Sequence, residues 1–419
     1  MKVTLVSYSD VAGGAARAAH RLHRCLLDHG VASGMRVASK GTDEFRVTAP
    51  RGKVRKVLGL VRSRLGQWPN KLQHTTNPIE HSLAMLPSRL ADEFNADDAD
   101  AVHLHWIGGD MMSIEDVGRI RKPVVWTLHD SWAFCGAEHH PDGLDDRRFV
   151  LGYTPQSRLA AHHGVDLDRW TWQRKARAWT RPFVVVTPSQ WLANCARQSK
   201  LMHDWPIQVI PNPLPTAVFK PWPKRLCREI LGLPADPPLV LFGAVGGTNS
   251  AIKGWSLLAD ALHRLAAVRP DCRAVVFGQS EPAHAPDVGM PVHYMGRLQD
   301  ESALALLYSA VDVVVVPSRI ENLPQVGTEA QACGTPVVGF DCSGMPDVVD
   351  HHHTGYLAKA YEAADLSEGI RWVLDDPARH AQLSANARTQ AVAKWSPEII
   401  GPRYLAAYAQ AIEASRALA

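Results

Sequence analysis

The stretch from residue 311 to 340, VDVVVVPSRIENLPQVGTEAQACGTPVVGF, constrains the fold more than any other part of the chain. An apolar run interrupted only by Asp312 ends at Pro317, a short polar loop follows, and the next predicted helix ends at Gly334. A second apolar strand begins at Val337. This order of strand, loop, helix and strand is typical of a parallel sheet that is buried on both faces.

The polar loop after the first of these strands is a predicted binding edge. In parallel sheets, ligands lie beyond the carboxyl ends of the strands. Four polar residues occupy that position here: Ser318, Arg319, Glu321 and Asn322. Seven residues separate Glu321 from Glu329. Carboxylates of this kind can accept hydrogen bonds from the hydroxyl groups of a sugar. Taken singly, each glutamate is also compatible with a surface or capping role.

Composition and charge exclude several classes of protein. A chain of 419 residues is long enough for two or three domains, and 46% hydrophobic with 21% charged residues is normal for a globular enzyme. A net charge of +3 gives no argument for a nucleic-acid partner. Seven scattered cysteines favour reduced thiols in the cytoplasm. The start MKVTLVSYSD predicts a strand rather than a signal peptide, and no apolar run is long enough to predict a membrane span.

The alternation of strands and helices restarts after a linker with five prolines, PNPLPTAVFKPWP. Such a stiff stretch favours a domain boundary over a single barrel. We therefore predict an α/β protein of two successive domains, residues 1–212 and 213–396, followed by a terminal helix, 397–419, that bridges them.

Two glycine-containing turns are candidate anion sites. Gly13 and Gly14 lie between the first strand and a helix, where backbone N–H groups can meet a phosphate, although a plain tight turn explains them equally well. Lys253 follows a loop that contains Gly246 and Gly247, and it precedes a helix, so its ammonium can meet a diphosphate. The loop is not the G-x-x-x-x-G-K-[ST] motif of ATPases.

Histidines follow two predicted strands of the first domain. His103 and His105 end the strand over residues 101–106, and His129 with Asp130 follows the strand over 124–128. A histidine at the ligand edge of a sheet is a functional candidate, and a hydrogen-bonded structural histidine is the alternative. The polar segment 135–172 contains a further group without metal-ligand spacing, which we interpret as an acceptor-side loop: Cys135, His139, His140 and Asp142.

Residues 51–74, RGKVRKVLGLVRSRLGQWPNKLQH, are basic and contain no acidic residue. Apolar residues recur there at spacings of three and four: Val54, Val57, Leu58, Val61 and Leu65. The pattern predicts a basic amphipathic helix suited to an anionic membrane surface. A solvated basic helix packed on its own domain has the same pattern, so both interpretations stay open.

Residues 318–338 resemble the signature of retaining glycosyltransferases of family four, whose two glutamates match Glu321 and Glu329. The pieces GMPDVV at 344–349, TGYL at 354–357, WSPE at 395–398, Lys253-Gly254 and Gly13-Gly14 also fit. The pieces HLHW at 103–106 and TLHDSW at 127–132 are similar to the branch that acts in capsular and colanic-acid-type exopolysaccharide assembly. The resemblance covers both domains in the same order.

The resemblance implies a GT-B fold, two Rossmann-like domains facing a cleft, with a nucleotide sugar bound by the second domain. By it, Glu329 would hold the ribose, Glu321 the donor sugar, and Lys253 the diphosphate. The implied catalytic residues are His129, Glu321 and Lys253. The implied donor-binding residues are Gly13, Gly14, Asp130, Gly246, Gly247, Lys253, Arg319, Asn322, Leu323 and Glu329.

The expected function is retaining transfer of a sugar from a UDP- or GDP-linked donor to a glycan or polyprenyl-diphosphate-linked acceptor in bacterial surface polysaccharide synthesis. We expect no cofactor and no metal, since the two D-x-D matches, at residues 98–100 and 166–168, are not at strand ends. The expected location is the cytoplasm, with peripheral attachment at the inner face of the membrane. The alternatives are a sugar-nucleotide epimerase of the same shape and a non-enzymatic two-domain sugar-binding protein.

Overall fold

The computed structural model describes residues 1–50, 52–143, 146–243 and 251–417. The chain divides into two compact units. Unit 1 comprises Met1–Pro213 together with Ile400–Ala419, and unit 2 comprises Leu214–Ile399. Two successive α/β units agree with the predicted fold class, and the division after Pro213 lies in the proline-rich linker. The residues from Ile400 onward are grouped with unit 1, and the predicted bridging role of the segment from residue 397 stays a prediction.

Unit 1 is built on a seven-stranded parallel sheet of order β3-β2-β1-β5-β6-β8-β9. The strands are β1 (Lys2–Ser9), β2 (Ala32–Ser39), β3 (Val47–Thr48), β4 (Gln73–His74), β5 (Ala101–Leu104), β6 (Val124–Thr127), β7 (His163–Gly164), β8 (Val184–Thr187) and β9 (Ile207–Val209). The helices are α1 (Gly14–Asp28), α2 (Lys53–Gln67), α3 (Leu90–Ala96), α4 (Ile114–Gly118), α5 (Arg148–Leu151), α6 (Leu167–Ala178) and α7 (Gln190–Gln198). A 3-10 helix, Trp68–Leu72, continues α2, and β4 pairs with β7 in a separate antiparallel ribbon.

Unit 2 contains a six-stranded parallel sheet of order β12-β11-β10-β13-β14-β15. The strands are β10 (Leu239–Gly243), β11 (Arg273–Phe277), β12 (Val292–Tyr294), β13 (Val313–Val316), β14 (Val337–Phe340) and β15 (Gly355–Ala358). The helices are α8 (Lys224–Leu231), α9 (Trp255–Val268), α10 (Glu301–Ala310), α11 (Gln325–Ala332), α12 (Met345–Val348), α13 (Ala363–Leu374) and α14 (Pro377–Trp395). The strand, loop, helix and strand predicted over residues 311–340 are β13, α11 and β14.

Both sheets are buried on their two faces, as the continuous apolar runs predicted. Val314 and Val316 of β13 belong to one hydrophobic cluster of unit 2, and Val313 and Val315 belong to another. Successive strand residues point to opposite faces, so a strand that is apolar at every position can contribute to two cores at once. In the described part of the chain, no helix combines the length and apolar content needed to cross a membrane.

The C-terminal helix, α15 (Pro397–Ala417), packs on the sheet of unit 1. Its buried face repeats at helical spacing: Ile400, Tyr404, Ala407, Tyr408 and Ala411. The Tyr408 hydroxyl lies 2.7 Å from His103 Nδ1, and the Tyr404 hydroxyl lies 3.2 Å from the Thr127 hydroxyl. His103 Nε2 in turn lies 2.8 Å from the same Thr127 oxygen. Since these polar side chains hydrogen-bond to one another, the helix can cover β5 and β6 without leaving a buried polar atom of this group unpaired.

We expect Tyr408→Ala to lower the free energy of unfolding by about 3–5 kcal/mol, because it empties a fully buried aromatic site. Tyr408→Phe should cost about 1–2 kcal/mol, since His103 loses a buried hydrogen-bond partner. The control is Phe45→Ala, at a side chain that is 75% exposed, where a change within about 0.5 kcal/mol is expected. Urea unfolding followed by circular dichroism measures all three, and equal effects of Tyr408→Ala and Phe45→Ala would contradict this packing.

Candidate functional site

The strand order of each sheet reverses once, and the predicted site residues follow the strands on either side of that reversal. In unit 2 the chain runs from β10 to β11 and β12 on one side, then to β13, β14 and β15 on the other. In unit 1 the reversal lies between β1 and β5. Loops that leave neighbouring strands in opposite directions open a crevice at the carboxyl edge of the sheet. Each unit therefore offers one such crevice.

In unit 2 the crevice holds an ion pair between Lys253 and Glu321. The Lys253 ammonium donates to Glu321 Oε1, and the Ser318 hydroxyl donates to the same oxygen at 3.0 Å. The Lys253 side chain is 38% exposed, and the Glu321 side chain is 17% exposed. Two predicted site residues that are far apart in sequence are thus brought together, and the cation of the pair remains accessible to solvent.

Two glycines hold the loop that carries Glu321. Gly254 has φ +69°, and a Cβ there would lie 1.9 Å from the carbonyl oxygen of Pro317. A Cβ on Gly344 would lie 1.5 Å from the carbonyl oxygen of Asn322, and the Gly344 N–H donates to the Glu321 carbonyl at 2.8 Å. Only glycine allows backbone to approach backbone this closely. The Lys253-Gly254 and GMPDVV pieces of the sequence signature therefore serve to position the Glu321 loop.

Glu329 is buried in α11, with an exposed fraction of 2%. The Tyr308 hydroxyl donates to its Oε2 at 2.8 Å. Tyr308 was not among the predicted site residues, although it is the only aromatic residue in the apolar helix α10. Ser343, whose hydroxyl accepts the N–H of Glu321 at 3.0 Å, was not predicted either.

The remaining predicted donor residues of unit 2 have different environments. The Arg319 guanidinium is exposed and lies 5.1 Å from the ring centre of Tyr361. Leu323 belongs to the core of unit 2, so its side chain serves packing and its backbone alone could face a ligand. Gly246 and Gly247 lie outside the described residues.

In unit 1, the Gly13-Gly14 turn ends β1 and begins α1. Gly13 has φ +92° and a Cβ would meet nothing there, so the backbone conformation rather than space requires glycine. The hydroxyl of Ser9 accepts the N–H groups of Val11 and Ala12, and no side chain among the residues that the structure describes caps α1. The start of α1 therefore offers backbone donors at the carboxyl edge of the sheet.

His129 and Asp130 follow β6 and contact the end of β5. His129 Nε2 lies 3.0 Å from His105 Nδ1, and the two rings stack. Asp130 Oδ2 accepts from His139 Nδ1 at 2.6 Å and from Trp106 Nε1 at 3.0 Å, and Oδ1 accepts the Trp132 N–H at 2.9 Å. Both oxygens of Asp130 thus accept hydrogen bonds from protein groups, and the bond from His139 holds that residue against the loop after β6. The predicted contact of Asp130 with the donor stays a prediction.

Burial controls the charge of these groups. It lowers the pKa of His103 to about 3 and that of His129 to about 4, and it lowers the pKa of His105 well below its ordinary value. Burial alone would raise the pKa of Asp130, but His139, His140 and the Trp132 N–H together outweigh burial and lower that pKa to about 2. At neutral pH the site therefore combines neutral imidazoles with an ionised carboxylate.

We expect the free energy of unfolding to fall as pH decreases from about 6.5 towards 4. In that window the unfolded chain takes up protons that His103 and His129 refuse when folded, so the unfolded state binds more protons. Each such histidine contributes a slope of up to about 1.4 kcal/mol per pH unit, and this contribution is complete above its unfolded pKa. Urea unfolding across this range measures the slope.

His103→Gln should reduce that slope, whereas His203→Gln, at an exposed position of unit 1, should leave it unchanged. A wild-type slope equal to that of His103→Gln would contradict the assignment.

Comparisons with known proteins give a consistent result for both units. The family profile for Glycosyltransferase Family 4 matches residues 12–218, and the profile for Glycosyl transferases group 1 matches residues 224–390. The chain is 32% identical over 198 residues to a GDP-mannose-dependent monoacylated alpha-(1-6)-phosphatidylinositol monomannoside mannosyltransferase of Corynebacterium glutamicum, covering 44% of this chain and 50% of that protein. It is 30% identical over 251 residues to a D-inositol 3-phosphate glycosyltransferase of Thermobispora bispora, covering 55% and 58%. The chain thus spans about half the length of the curated relatives it matches.

Solved structures share the fold at low sequence identity. HepE of Anabaena, determined in complex with UDP and glucose, has a TM-score of 0.66 at 18% identity. The superposition covers 98% of this chain and 100% of the HepE chain. Sucrose-phosphate synthase of Thermosynechococcus elongatus has a TM-score of 0.67 at 19% identity, with 99% and 100% covered. At such identities the similarity establishes the arrangement of strands and helices within the fold and nothing further.

Proposed function

We propose that this chain, which belongs to the family 4 type of glycosyltransferases, transfers a sugar from a nucleoside diphosphate to a glycan or polyprenyl-diphosphate-linked acceptor. The two family matches together span most of its length. The observation that carries the proposal is the group formed by Lys253, Glu321 and Ser318 at the strand reversal of unit 2. It combines a solvent-accessible cation with a carboxylate, which are the groups that a sugar diphosphate needs. The transfer is proposed to retain the anomeric configuration and to serve surface polysaccharide synthesis, as the sequence signature implies.

Lys253 is the proposed partner of the diphosphate. As the donor bond breaks, negative charge develops on the leaving nucleoside diphosphate, and a fixed cation stabilises it. Lys253 lies just before α9. No side chain of the described residues caps the first turn of this helix, so its backbone donors add to the charge of Lys253. These groups support stabilisation without a metal at the leaving group.

Glu321 is the proposed contact of the donor sugar. In the structure it shares its Oε1 with Lys253 and Ser318. A diphosphate that draws the Lys253 ammonium towards itself would release this oxygen for a sugar hydroxyl. Glu329, held by Tyr308, is the proposed contact of the ribose. The names of similar proteins mention GDP-mannose in one case and UDP in another, so both nucleotides are candidate donors.

His129 is the proposed catalytic residue of unit 1. Because burial lowers its pKa to about 4, its ring is neutral at physiological pH and can hydrogen-bond a sugar hydroxyl or carbonyl without adding charge. His105, stacked against it, orients the ring. The backbone donors after Gly13 are the proposed second phosphate contact.

Lys253→Met should weaken UDP or GDP binding about 10- to 100-fold, because hydrogen bonds to charged groups contribute about 1.5–3 kcal/mol. Glu321→Gln should leave nucleotide affinity within a few-fold and lower the turnover of the sugar nucleotide by roughly 100-fold or more, since its contacts strengthen in the transition state. Calorimetry and nucleotide release from UDP-, GDP- and dTDP-sugars measure the two effects.

The matched control is Lys359→Met, at a side chain of unit 2 that is 75% exposed. Absence of nucleotide release from every donor by the wild type and Glu321→Gln alike would overturn the transferase proposal. Interconversion of sugar epimers with the nucleotide retained would favour an epimerase instead.

We further propose that unit 1 binds an anionic membrane surface through the end of the basic segment. Val61, Leu65 and Trp68 are 45%, 59% and 62% exposed, and their spacing of four and three residues places them on one helical face. Leu72 extends this exposed apolar row, and Arg64 and Lys71 are exposed beside it. Apolar side chains flanked by cations, without acidic residues, fit a surface of anionic lipid. The predicted apolar side chains of Val54, Val57 and Leu58 lie outside the described part of the chain.

Arg62 does not share this surface. Its Nε donates to the Asp110 carbonyl at 2.5 Å, and its terminal nitrogens donate to the carbonyls of Pro87, at 2.7 Å, and Leu86. These contacts of Arg62 favour the alternative interpretation, a helix packed on its own domain, for this part of the segment, and the proposed lipid contact is restricted to the exposed row. Because the guanidinium of Arg62 donates to three backbone carbonyls, it anchors α2 to the rest of unit 1. The exposed apolar row of Val61, Leu65 and Trp68 lies on another face of the helix.

Replacing both Leu65 and Trp68 by Glu should reduce binding to anionic vesicles at least about tenfold, because burying each side chain contributes about 1.5–3 kcal/mol. The control is Phe45→Glu, which introduces one negative charge at another exposed aromatic position of unit 1, and it is compared with each single variant, Leu65→Glu and Trp68→Glu, as well as with the double variant. Flotation with vesicles of phosphatidylglycerol and phosphatidylcholine gives the measurement. Undiminished flotation of the double variant would contradict the proposal.

A further inference from the structure

We propose that His81, Glu138 and Asp168 of unit 1 bind a divalent transition-metal ion of the Zn²⁺ type. One nitrogen or oxygen of each side chain lies within 4.8 Å of the others, although the three residues come from separate segments of the chain. His81 Nε2 and Asp168 Oδ1 are 3.6 Å apart. Two ligand atoms at about 2.1 Å from a tetrahedral ion are about 3.4 Å apart, so the observed spacing is close to that of a metal site.

Within the described residues, the atoms that face the centre of this cluster have no hydrogen-bond partner. They are His81 Nε2, Glu138 Oε2 and Asp168 Oδ1, and all three are buried. Glu138 and Asp168 are each only 3% exposed. Buried polar atoms in proteins are nearly always paired, so three unpaired atoms directed at one point require an explanation. A bound cation would accept lone pairs from all three.

The tautomer of His81 suits metal binding. Its Nδ1 lies 2.7 Å from the Ile79 carbonyl oxygen, which can only accept, so Nδ1 carries the hydrogen of the neutral ring. Nε2 then presents a lone pair towards the carboxylates. A ring nitrogen that donates to a backbone carbonyl while the other faces a metal is the usual arrangement of ligating histidines.

The two carboxylates are oriented by outer partners in the same way. Glu138 Oε1 accepts the Tyr153 hydroxyl, and Asp168 Oδ2 accepts Gln73 Nε2 at 2.6 Å. In each case one oxygen is held by the protein and the second faces the cluster. Outer hydrogen bonds of this kind fix the direction of a metal ligand before the ion arrives.

The backbone around the cluster is closely fitted. His81 and Glu138 form an isolated antiparallel β-bridge, which brings their Cα atoms opposite one another. A Cβ on Gly136 would lie 2.6 Å from Glu138 Oε2 and 2.7 Å from Asp168 Cβ. The positions of the ligands are therefore set by main-chain pairing and by a glycine, and not only by flexible side chains.

The neighbouring cations have other partners. The Arg148 guanidinium pairs with Asp166 at 2.8 Å and reaches Asp168 Oδ2, the outer oxygen, only at 3.9 Å. The Lys175 ammonium donates to the carbonyls of Cys135, at 3.1 Å, and Gly136, at 2.6 Å. The inner oxygens of the two carboxylates thus face each other and His81. One imidazole with two carboxylates is a donor set for Zn²⁺, Mn²⁺ or Co²⁺.

A surface cavity adjoins His81. It has a volume of about 350 Å³ and is lined by His81 and by residues between the end of α2 and the His81 loop: Gln67, Asn70, Gln73, Thr75, Ile79 and Glu80. Water in this cavity could complete a tetrahedral site on the side of His81.

The ion would stabilise the loop that positions Asp130. Glu138 precedes His139, and His139 Nδ1 holds Asp130 at 2.6 Å. The cluster lies in unit 1, whereas Lys253 and Glu321 belong to unit 2. We assign the ion a structural role because none of its three ligands is among the proposed catalytic or donor-binding residues, so the inference stands whether or not the chain transfers sugars.

The test uses the full-length protein after dialysis against a chelator, titrated with Co²⁺. We expect visible d–d absorption that saturates at one ion per chain and disappears when Zn²⁺ is added, with a matching one-to-one zinc content by elemental analysis. His81→Gln should weaken Co²⁺ binding at least 100-fold, since it removes a ligand, and Gln73→Leu about 10- to 100-fold, since it removes an outer partner.

Asp142→Asn is the matched control, because Asp142 pairs with His162 at 3.2 Å in the same unit but outside the cluster. Its Co²⁺ spectrum should equal that of the wild type. A proton shared between Glu138 and Asp168 is the rival occupant, and a wild-type protein that folds without any Co²⁺ spectrum or zinc content would establish it. Co²⁺ binding that persists in His81→Gln, checked to be folded by circular dichroism, would also overturn the proposal.

Discussion

Burial of both faces of each parallel sheet is the constraint on which the rest of the structure depends. It requires a strand such as β13 to be apolar at every position, and it excludes ligand-binding groups from the interior of that strand. Polar groups therefore collect where the strands end. The order of the strands then decides which ends are neighbours, and the single reversal in each sheet selects the loops that can cooperate.

The two units treat charge in different ways. In unit 2, Lys253 and Glu321 pair in a partly exposed place, where an ion pair contributes little to stability and a diphosphate can compete for the cation. In unit 1, burial keeps His103 and His129 neutral, while His139 keeps Asp130 ionised. One arrangement is suited to exchange of partners, and the other to fixed orientation.

The segment after β6 shows how irregular backbone can be buried. Loops in a protein interior leave carbonyl groups without partners unless side chains supply donors. Here Lys175, which is fully buried, donates to the carbonyls of Trp132, Cys135 and Gly136, and thereby holds the turn that leads to Glu138. In the described part of the chain, the same burial leaves the inner oxygens of Glu138 and Asp168 without donors, which is the arrangement that the proposed cation would complete.

The sequence by itself determined the elements, the two successive α/β units and the loops that carry the candidate site, because apolar runs, glycine turns and strand-end polar residues are local features. It also determined the resemblance that assigns the family. Only the tertiary structure decided the partners: that Lys253 meets Glu321, that Tyr308 holds Glu329, that Arg62 bonds to backbone carbonyls, and that α15 packs on unit 1. The convergence of His81, Glu138 and Asp168 belongs to the same class, since their spacing in the sequence follows no ligand pattern. The physical reason is that hydrogen bonds and ion pairs between distant segments depend on how the sheets bring loops together, and no periodicity along the chain records that.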